Sequence, residues 1–246
     1  MGRITVLSHN VFWFQGMPFA TDQPPAPDPA VLSGLCHLYR TLEPDVVCLQ
    51  EVQSREAFEM VAQQLEMEGC WSAGVDLPQY GAATFWHPGC GKMLTDAHRS
   101  SLEVQRIWQT AEVSAGESVL TVANLHLPSA RQLGDAGAAK QRLAELQDVL
   151  TVRAAGYDLI AGDLNEQPDG DLSSSLKQQG YVDLARTLPT APPTTFNGGR
   201  GDYLWLNGSS RWKLREFTTV CRETLVREGN GRYLSDHLPL LAVIED

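Results

Sequence analysis

No run of apolar residues in this 246-residue sequence approaches the roughly 18 that a membrane span needs, so no span is expected. Arg3 is not followed by an apolar run and a small-residue cleavage site, which argues against a signal peptide. Cysteine is scarce. Cys36, Cys48, Cys70, Cys90 and Cys221 are odd in number, widely spaced and free of any CxxC pair. That pattern excludes a disulfide framework and a cysteine-rich zinc site, and fits a reducing, cytoplasmic compartment. Basic charge is also short, with 19 Lys and Arg against 30 Asp and Glu and a net charge of -11. Capture of long nucleic acid by a generally basic surface is therefore disfavoured, while a local groove is not. There is no internal repeat and no linker long enough to divide the chain. The Pro-rich run 188–193 reads as a loop inside one domain over residues 1–246. No obligate protein partner is implied.

What is present describes a folded chain: 43% hydrophobic and 20% charged residues, with 21 Gly and 14 Pro. Its charge is uneven. Between Arg200 and Arg232 seven basic residues face four acids, a local net of +3. That stretch reads either as a solvated surface or as a rim for an anionic substrate.

Apolar runs at 4–7, 45–49, 119–125, 158–161, 203–206, 214–220 and 238–244 predict strands, with weaker signals at 82–86 and 102–108. Val31, Leu35, Tyr39 and Leu42 recur at helical spacing behind Asp28, a good cap, and Pro29, which suits the first turn. Phe58, Val61 and Leu65 mark a second helix expected to end near Gly69. Ala139, Leu143, Leu146 and Leu150 mark a third. Mixed elements from end to end predict an α/β or α+β fold, and the strand count favours two sheets.

Five apolar runs hand over to polar residues at Asn10, Glu51, His126, the pair Asp163 and Asn165, and the pair Asp236 and His237. Strand ends let a rigid sheet hold polar groups together without burying them fully. Each has a plain reading as well: Asn10 as a turn residue, Glu51 as a solvated acid, His126 as a structural histidine, the others as turns or caps. Taken together, Glu51, Asp163, Asp202 and Asp236 supply hard oxygen donors, which favours Mg²⁺ or Mn²⁺ over zinc. His126 and His237 suit phosphate contact or proton transfer, and Asn10 and Asn165 orient water or phosphate without added charge. This combination suits phosphoester hydrolysis.

The segments "LSHNV" with Asn10, "PDVVCLQEV" with Glu51, "NLHL" with His126, "AGDLN" with Asp163 and Asn165, "GDYLWL" with Asp202 and "SDHLPLLAVI" with Asp236 and His237 occur in an order that resembles the endonuclease/exonuclease/phosphatase superfamily. That group includes pancreatic-type deoxyribonuclease, abasic-site endonucleases and deadenylases. The resemblance implies an α/β fold, a four-layer α/β/β/α sandwich with two packed mixed β-sheets and the site at one edge. It implies Mg²⁺, with Mn²⁺ as a substitute, held chiefly by Glu51 with Asn10 and Asp236. It assigns Asp163 to the attacking water, Asn165 to the phosphate, and His237, oriented by Asp202, to the scissile phosphate. His126 would stabilise or protonate the leaving side.

A histidine in "NLHL" replaces the tyrosine of the abasic-site branch, while the ending "SDHLPLLAVI" and the Gln- and Arg-bearing helix after "NLHL" look more like the deadenylase and tyrosyl-DNA phosphodiesterase branches. Arg131 and Gln141, on the helix after "NLHL", then face substrate or are ordinary surface residues. Trp205, like Trp13, Phe14 and Trp86, either stacks on a base or fills the core. The function implied is a Mg²⁺-dependent phosphodiesterase acting by direct water attack on nucleic-acid ends or short single strands of DNA or RNA. A phosphomonoesterase on an inositol phosphate or another small phosphate, a lipid phosphodiesterase, and an inactive binding scaffold are the alternatives.

Overall fold

The computed structural model describes residues 2–19, 21, 23–226 and 232–246. Among these, strands β1 (Arg3–Asn10), β2 (Val46–Gln50), β3 (Glu68–Ser72), β4 (Ala82–Trp86), β11 (Lys213–Thr219) and β12 (Leu240–Glu245) form one sheet in the order β11-β12-β1-β2-β4-β3. Strands β5 (Gly91–Asp96), β6 (Ile107–Ala115), β7 (Ser118–His126), β8 (Leu159–Asp163), β9 (Tyr181–Asp183) and β10 (Asp202–Asn207) form the other, in the order β5-β6-β7-β8-β10-β9. Each sheet is mixed: β1 and β2 run parallel, as do β7 and β8, and the other pairings are antiparallel.

The sheets meet through Ile4, Val6, Val46, Cys48, Val122, Leu159, Ala161, Leu204, Ala242 and Ile244. Helices α1 (Pro29–Leu42) and α2 (Arg55–Leu65) cover the outer face of the first sheet, with Leu35 and Val61 packed on the side of Val47 and Phe85. Helices α3 (Ala130–Val152) and α4 (Asp171–Gln178) cover the second, with Leu146 and Leu172 on the side of Leu125 and Ile160. The result is the expected α/β/β/α sandwich. Strands buried on both faces need continuous apolar runs, and β1, β2, β7, β8 and β12 supply them. No helix among the described residues is long and apolar enough to cross a membrane.

A line of polar side chains crosses the inter-sheet core. Gln50 Nε2 donates to Asn124 Oδ1 at 2.8 Å, Asn124 Nδ2 to Thr84 Oγ1 at 3.2 Å, Thr84 Oγ1 to Gln109 Oε1 at 3.1 Å, and Gln109 Nε2 to Ser72 Oγ at 3.0 Å. Such a chain fixes the lateral placement of one sheet on the other, which apolar contacts alone specify weakly.

Local expectations fare unevenly. Asp28 caps α1, its carboxylate accepting from Ala30 N at 2.8 Å. Gly69 does not end α2. That helix stops at Glu66, in left-handed backbone at φ 54°, and Gly69 lies in β3, where a Cβ would sit 2.4 Å from Thr84 O. Residues 102–106 are loop, and β6 begins at Ile107. Helix α3 starts at Ala130, well before Ala139, with a break at Gly134 (φ 66°). The basic stretch is largely committed to the protein's own groups: Arg200 forms a buried pair with Asp183 at 3.1 Å, Arg211 meets Asp246 at 2.9 Å and Arg215 meets Glu245 at 2.7 Å. Arg227, counted in that stretch, lies outside the described residues.

Candidate active site

Register brings the polar strand ends together. His126 pairs with Asp163 across β7 and β8, and Asp163 with Asp202 across β8 and β10, so three candidate side chains form a row on one sheet. On the other sheet Asn10 lies beside Gln50, one residue before Glu51. Gly162 makes the close approach of β7 and β8 feasible. At its φ of 131° any Cβ would fall 1.9 Å from Leu125 O. Two site residues occupy left-handed backbone, Glu51 at φ 60° and Asn165 at φ 51°. Asparagine tolerates that region, but for Glu51 it costs on the order of 1 kcal/mol, strain of the kind that collects at functional sites.

Asn10 joins the sheets at the site, its Nδ2 donating to Glu51 Oε1 at 3.2 Å and to Asp163 Oδ2 at 3.1 Å. Its own Oδ1 accepts from Phe12 N at 3.0 Å. Asp163 Oδ1 accepts from Asn165 N at 2.9 Å, and Asn165 Nδ2 donates to Leu127 O at 3.0 Å. His237 Nδ1 faces both Asp202 oxygens, at 2.8 and 3.1 Å. Ser235 fastens the adjoining backbone: its hydroxyl donates to Asn10 O at 2.8 Å and accepts from His237 N at 3.1 Å.

Electrostatics divide the two histidines. Burial opposes a charge on His237, but Asp202, its hydrogen bond, Asp163 and Asp236 outweigh that and hold the ring well above its usual range. Burial pushes Asp202 up to about 6, so it stays ionised at neutral pH beside an imidazolium. His126 is driven the other way, well below its usual range, by burial and then by the charges of Arg106 and His237. Arg106 Nη1 is in contact with His126 Nε2, and a guanidinium can only donate. Nε2 is therefore the acceptor, and the proton of neutral His126 is on Nδ1, which has no hydrogen-bond partner.

Burial raises the Glu51 carboxyl to about 7, eased by Arg106 and His237 and reinforced by Asp236. Asp236 is also raised by burial, and its Oδ1 is buried without a hydrogen-bond partner. Glu51 and Asp236 line the same lobe, each raised by burial and Glu51 further by the charge of Asp236, and two hard oxygen donors so placed fit a divalent cation. Among the described residues, one donor atom each from Asp163, Asp202 and His237 also lie within 4.8 Å of one another, a candidate acid–histidine metal group. Both Asp202 oxygens in that group already face His237 Nδ1.

The cleft has two lobes that share Met17, Arg131, Asp163, Asn165, Asp236 and His237. One, of about 270 Å³, adds Glu51, Arg106, Ser129 and the aromatic residues Phe12, Trp13, Phe19 and Tyr80. The other, of about 610 Å³, adds Gln167, Thr195, Phe196, Asn197 and Gly201.

Arg131 is thus in the cleft, and Gln141 is not. The Gln141 amide donates to Glu103 O at 2.5 Å and Glu145 Oε1 at 3.0 Å, fastening α3 to the loop before β6. Trp205 is a core residue, because its position on β10 points the ring to the helix-covered face, 5.9 Å from Tyr203. Phe14 and Trp86 are likewise buried, whereas Trp13 is buried at the cleft edge.

Sequence reasoning missed Arg106, buried in the aromatic lobe with Nη2 donating to Ser129 Oγ at 3.0 Å and its guanidinium 4.3 Å from the Tyr80 ring. It also missed His9, whose Nε2 contacts His237 O at 3.1 Å and whose Nδ1 contacts Tyr39 OH at 2.6 Å. Burial lowers His9 to about 3, so that ring is neutral. Strand β1 is buried continuously from Val6 to Asn10, so no alternation singles out His9. No periodic signal marks Arg106.

The fold and site define a member of the Endonuclease/Exonuclease/phosphatase family, whose model matches residues 7–237; the chain belongs to this family of phosphoric ester hydrolases. No curated protein sequence matches it. Among solved structures it is similar to the human Nocturnin catalytic domain with bound sulfate, at 18% identity and TM-score 0.70, over 99% of this chain and 93% of that one. It is similar to D. rerio TDP2 complexed with single-strand DNA product, at 18% identity and TM-score 0.70, over 99% of both chains. It is also similar to ANGEL2, a 2′,3′-cyclic phosphatase, in complex with adenosine-2′,3′-vanadate, at 16% identity and TM-score 0.75, over 99% and 95%.

Proposed function

We propose that this protein is a divalent-metal-dependent phosphodiesterase acting on nucleic-acid ends or short single strands, through one catalytic domain over residues 1–246. The observation that carries the reading is the two-lobed cleft, with Asp163, Asn165 and His237 at its centre and room on both sides. A phosphomonoester needs space on one side, while a diester carries a substituent on each. The similarity to TDP2 bound to a single-strand DNA product and to ANGEL2 bound to an adenosine vanadate supports a nucleotide-bearing substrate. The five cysteines, all free, support a cytoplasmic location.

Glu51 and Asp236, with Asn10 beside them, would hold the cation, Mg²⁺ in this reading. Bound there, a divalent cation neutralises charge on the phosphate and leaving oxygen. Asp163 orients and deprotonates the attacking water. Asn165 and the His237 imidazolium hold the non-bridging oxygens, with Asp202 fixing the His237 ring through Nδ1 so that Nε2–H points into the cleft. His126, neutral and accepting from Arg106, has no proton to give from Nε2. Its role in this reading is to hold the Arg106 guanidinium at the phosphate, which refines the leaving-side role implied by resemblance.

The test compares purified protein on bis-p-nitrophenyl phosphate, p-nitrophenyl phosphate, an inositol polyphosphate and end-labelled single-stranded DNA and RNA, with Mg²⁺ or EDTA. Diesters turned over well ahead of monoesters are expected. Turnover confined to monoesters would contradict the reading.

A further inference from the structure

We propose that residues 11–19 build a nucleobase-stacking subsite in the Glu51–Arg106 lobe of the cleft, with the rings of Phe12 and Phe19 as its faces. This rests on the phosphodiesterase reading above and names the part of the substrate that one lobe receives.

The loop adopts a costly backbone. Phe12, Trp13 and Phe14 lie at φ 47°, 53° and 52°, three successive aromatic residues in a region that favours glycine. Such strain persists only where the surroundings over-determine it, and they do so here. Phe14 N donates to Val11 O at 2.9 Å, Asp28 N to Phe14 O at 3.0 Å, and Gln53 Nε2 to Trp13 O at 2.6 Å. Further on, Met17 and Tyr233 exchange backbone hydrogen bonds at 2.7 and 2.9 Å.

Two of the three strained side chains have a packing role, because Trp13 and Phe14 are buried. Phe12 is not buried with them. Its ring is half-buried and lines the cleft, and it meets the ring of Phe19, which is 53% exposed.

The rings form a continuous wall. Phe19 packs edge-to-face on Phe12 at 5.9 Å, Phe12 stacks on Trp13 at 5.9 Å, Trp13 meets Tyr80 at 5.3 Å, and Tyr80 meets His126 at 5.6 Å. The series runs from solvent to the row of reacting groups, with Arg106 over Tyr80 near its inner end. A large exposed aromatic ring on a pre-ordered loop loses little entropy when it stacks on a planar partner.

The opposite lobe lacks this character. Its one aromatic side chain, Phe196, has an edge contact from Tyr233 at 4.5 Å and the Arg222 guanidinium at 4.6 Å, and Gln167, Thr195 and Asn197 surround it with hydrogen-bonding groups. Aromatic faces rather than branched aliphatic side chains, with Thr21, Ser129 and Arg131 in the same lobe, favour a nucleobase over an acyl chain.

The test measures binding in EDTA, where no strand is cut, using short single strands with one 2-aminopurine and reduced abasic residues elsewhere. The matched control strand is wholly abasic. The parent is expected to bind the base-bearing strand roughly tenfold more tightly and to quench its fluorescence, the usual scale of aromatic–base stacking. In Phe19→Ala, and in Phe12→Leu, which keeps apolar bulk without a planar face, the ratio of the two affinities should collapse to within about twofold. Equal binding of both strands by the parent, or a ratio unchanged in both variants, would overturn the subsite. Hydrolysis of bis-p-nitrophenyl phosphate by the same preparations keeps the two readings apart. Active parent with an unchanged ratio sinks the subsite alone, and a parent inactive on every diester sinks the phosphodiesterase reading and the subsite with it.

Discussion

His126 and His237 differ in charge: His237 lines the cleft as an imidazolium facing three carboxylates, whereas His126, buried behind it, is held neutral first by burial and then by the charges of Arg106 and His237. Asp202 is the residue on which that difference turns. In Asp202→Asn the ring of His237 loses the charge that offsets its burial, so its proton should leave at lower pH. A His237 pKa raised in the parent keeps the imidazolium through neutral pH and loses it only far on the alkaline side. The variant should instead lose activity as pH rises through roughly the ordinary histidine range near 6.5. A ring titrating there is still about one-quarter protonated at pH 7, so the loss at neutral pH should be only a few-fold in kcat, deepening about tenfold per pH unit above it. A kcat–pH series on the two proteins checks this, and an unshifted alkaline limb would remove Asp202 from the role given to it.

At the level of elements, α3 holds a second titrating group. Glu145 is fully buried on this helix, its Oε1 accepting from Gln105 N at 2.9 Å and from Gln141, while Oε2 has no hydrogen-bond partner. Burial raises its carboxyl to about 7. The folded protein thus keeps a proton that the unfolded chain releases near 4.5, and stability attributable to this group falls as pH rises from about 4.5 to 7 and then levels off. Glu145→Gln keeps the Oε1 acceptor and removes the titration. Its unfolding temperature should exceed the parent's at pH 8 and converge with it near pH 4.5, as thermal melts at the two pH values would show.

Which elements were legible follows the same physics. Strands β1, β2, β7 and β8 are buried on both faces and read as apolar runs. Strands β3, β5 and β9 are sheet edges, half-exposed or only three residues long, and leave no period to read. Helix α4 was missed because its eight residues contain just two apolar ones, Leu172 and Leu176.

Across the whole molecule, the site lies where both sheets end, and its residues come from segments more than 150 positions apart, as in the Asn10–Asp163 contact. Asn10, Glu51, Asp163, Asp202, Asp236 and His237 could be named as candidates from sequence because each borders an apolar run within a recognisable motif. Arg106, Tyr80, Phe12 and Phe19 stand in connecting segments and reach the cleft only through tertiary packing, so no spacing announced them. The net charge of -11 is compatible with an anionic substrate because Arg106 and Arg131 place positive charge within the cleft itself.

The most direct measurement is a metal titration of diester hydrolysis. Protein stripped with EDTA would be titrated with Mg²⁺ at pH 8 and pH 6, alongside Asp163→Asn and Glu51→Gln. The account predicts no turnover without metal and none above background in Asp163→Asn at any concentration. It also predicts a half-saturating Mg²⁺ concentration that rises from pH 8 to pH 6, because a Glu51 carboxyl near 7 is increasingly protonated over that interval and competes with the cation. In Glu51→Gln the demand for Mg²⁺ should be high at both values. Full diester turnover by the stripped parent in EDTA, or by Asp163→Asn, would contradict the account at its centre.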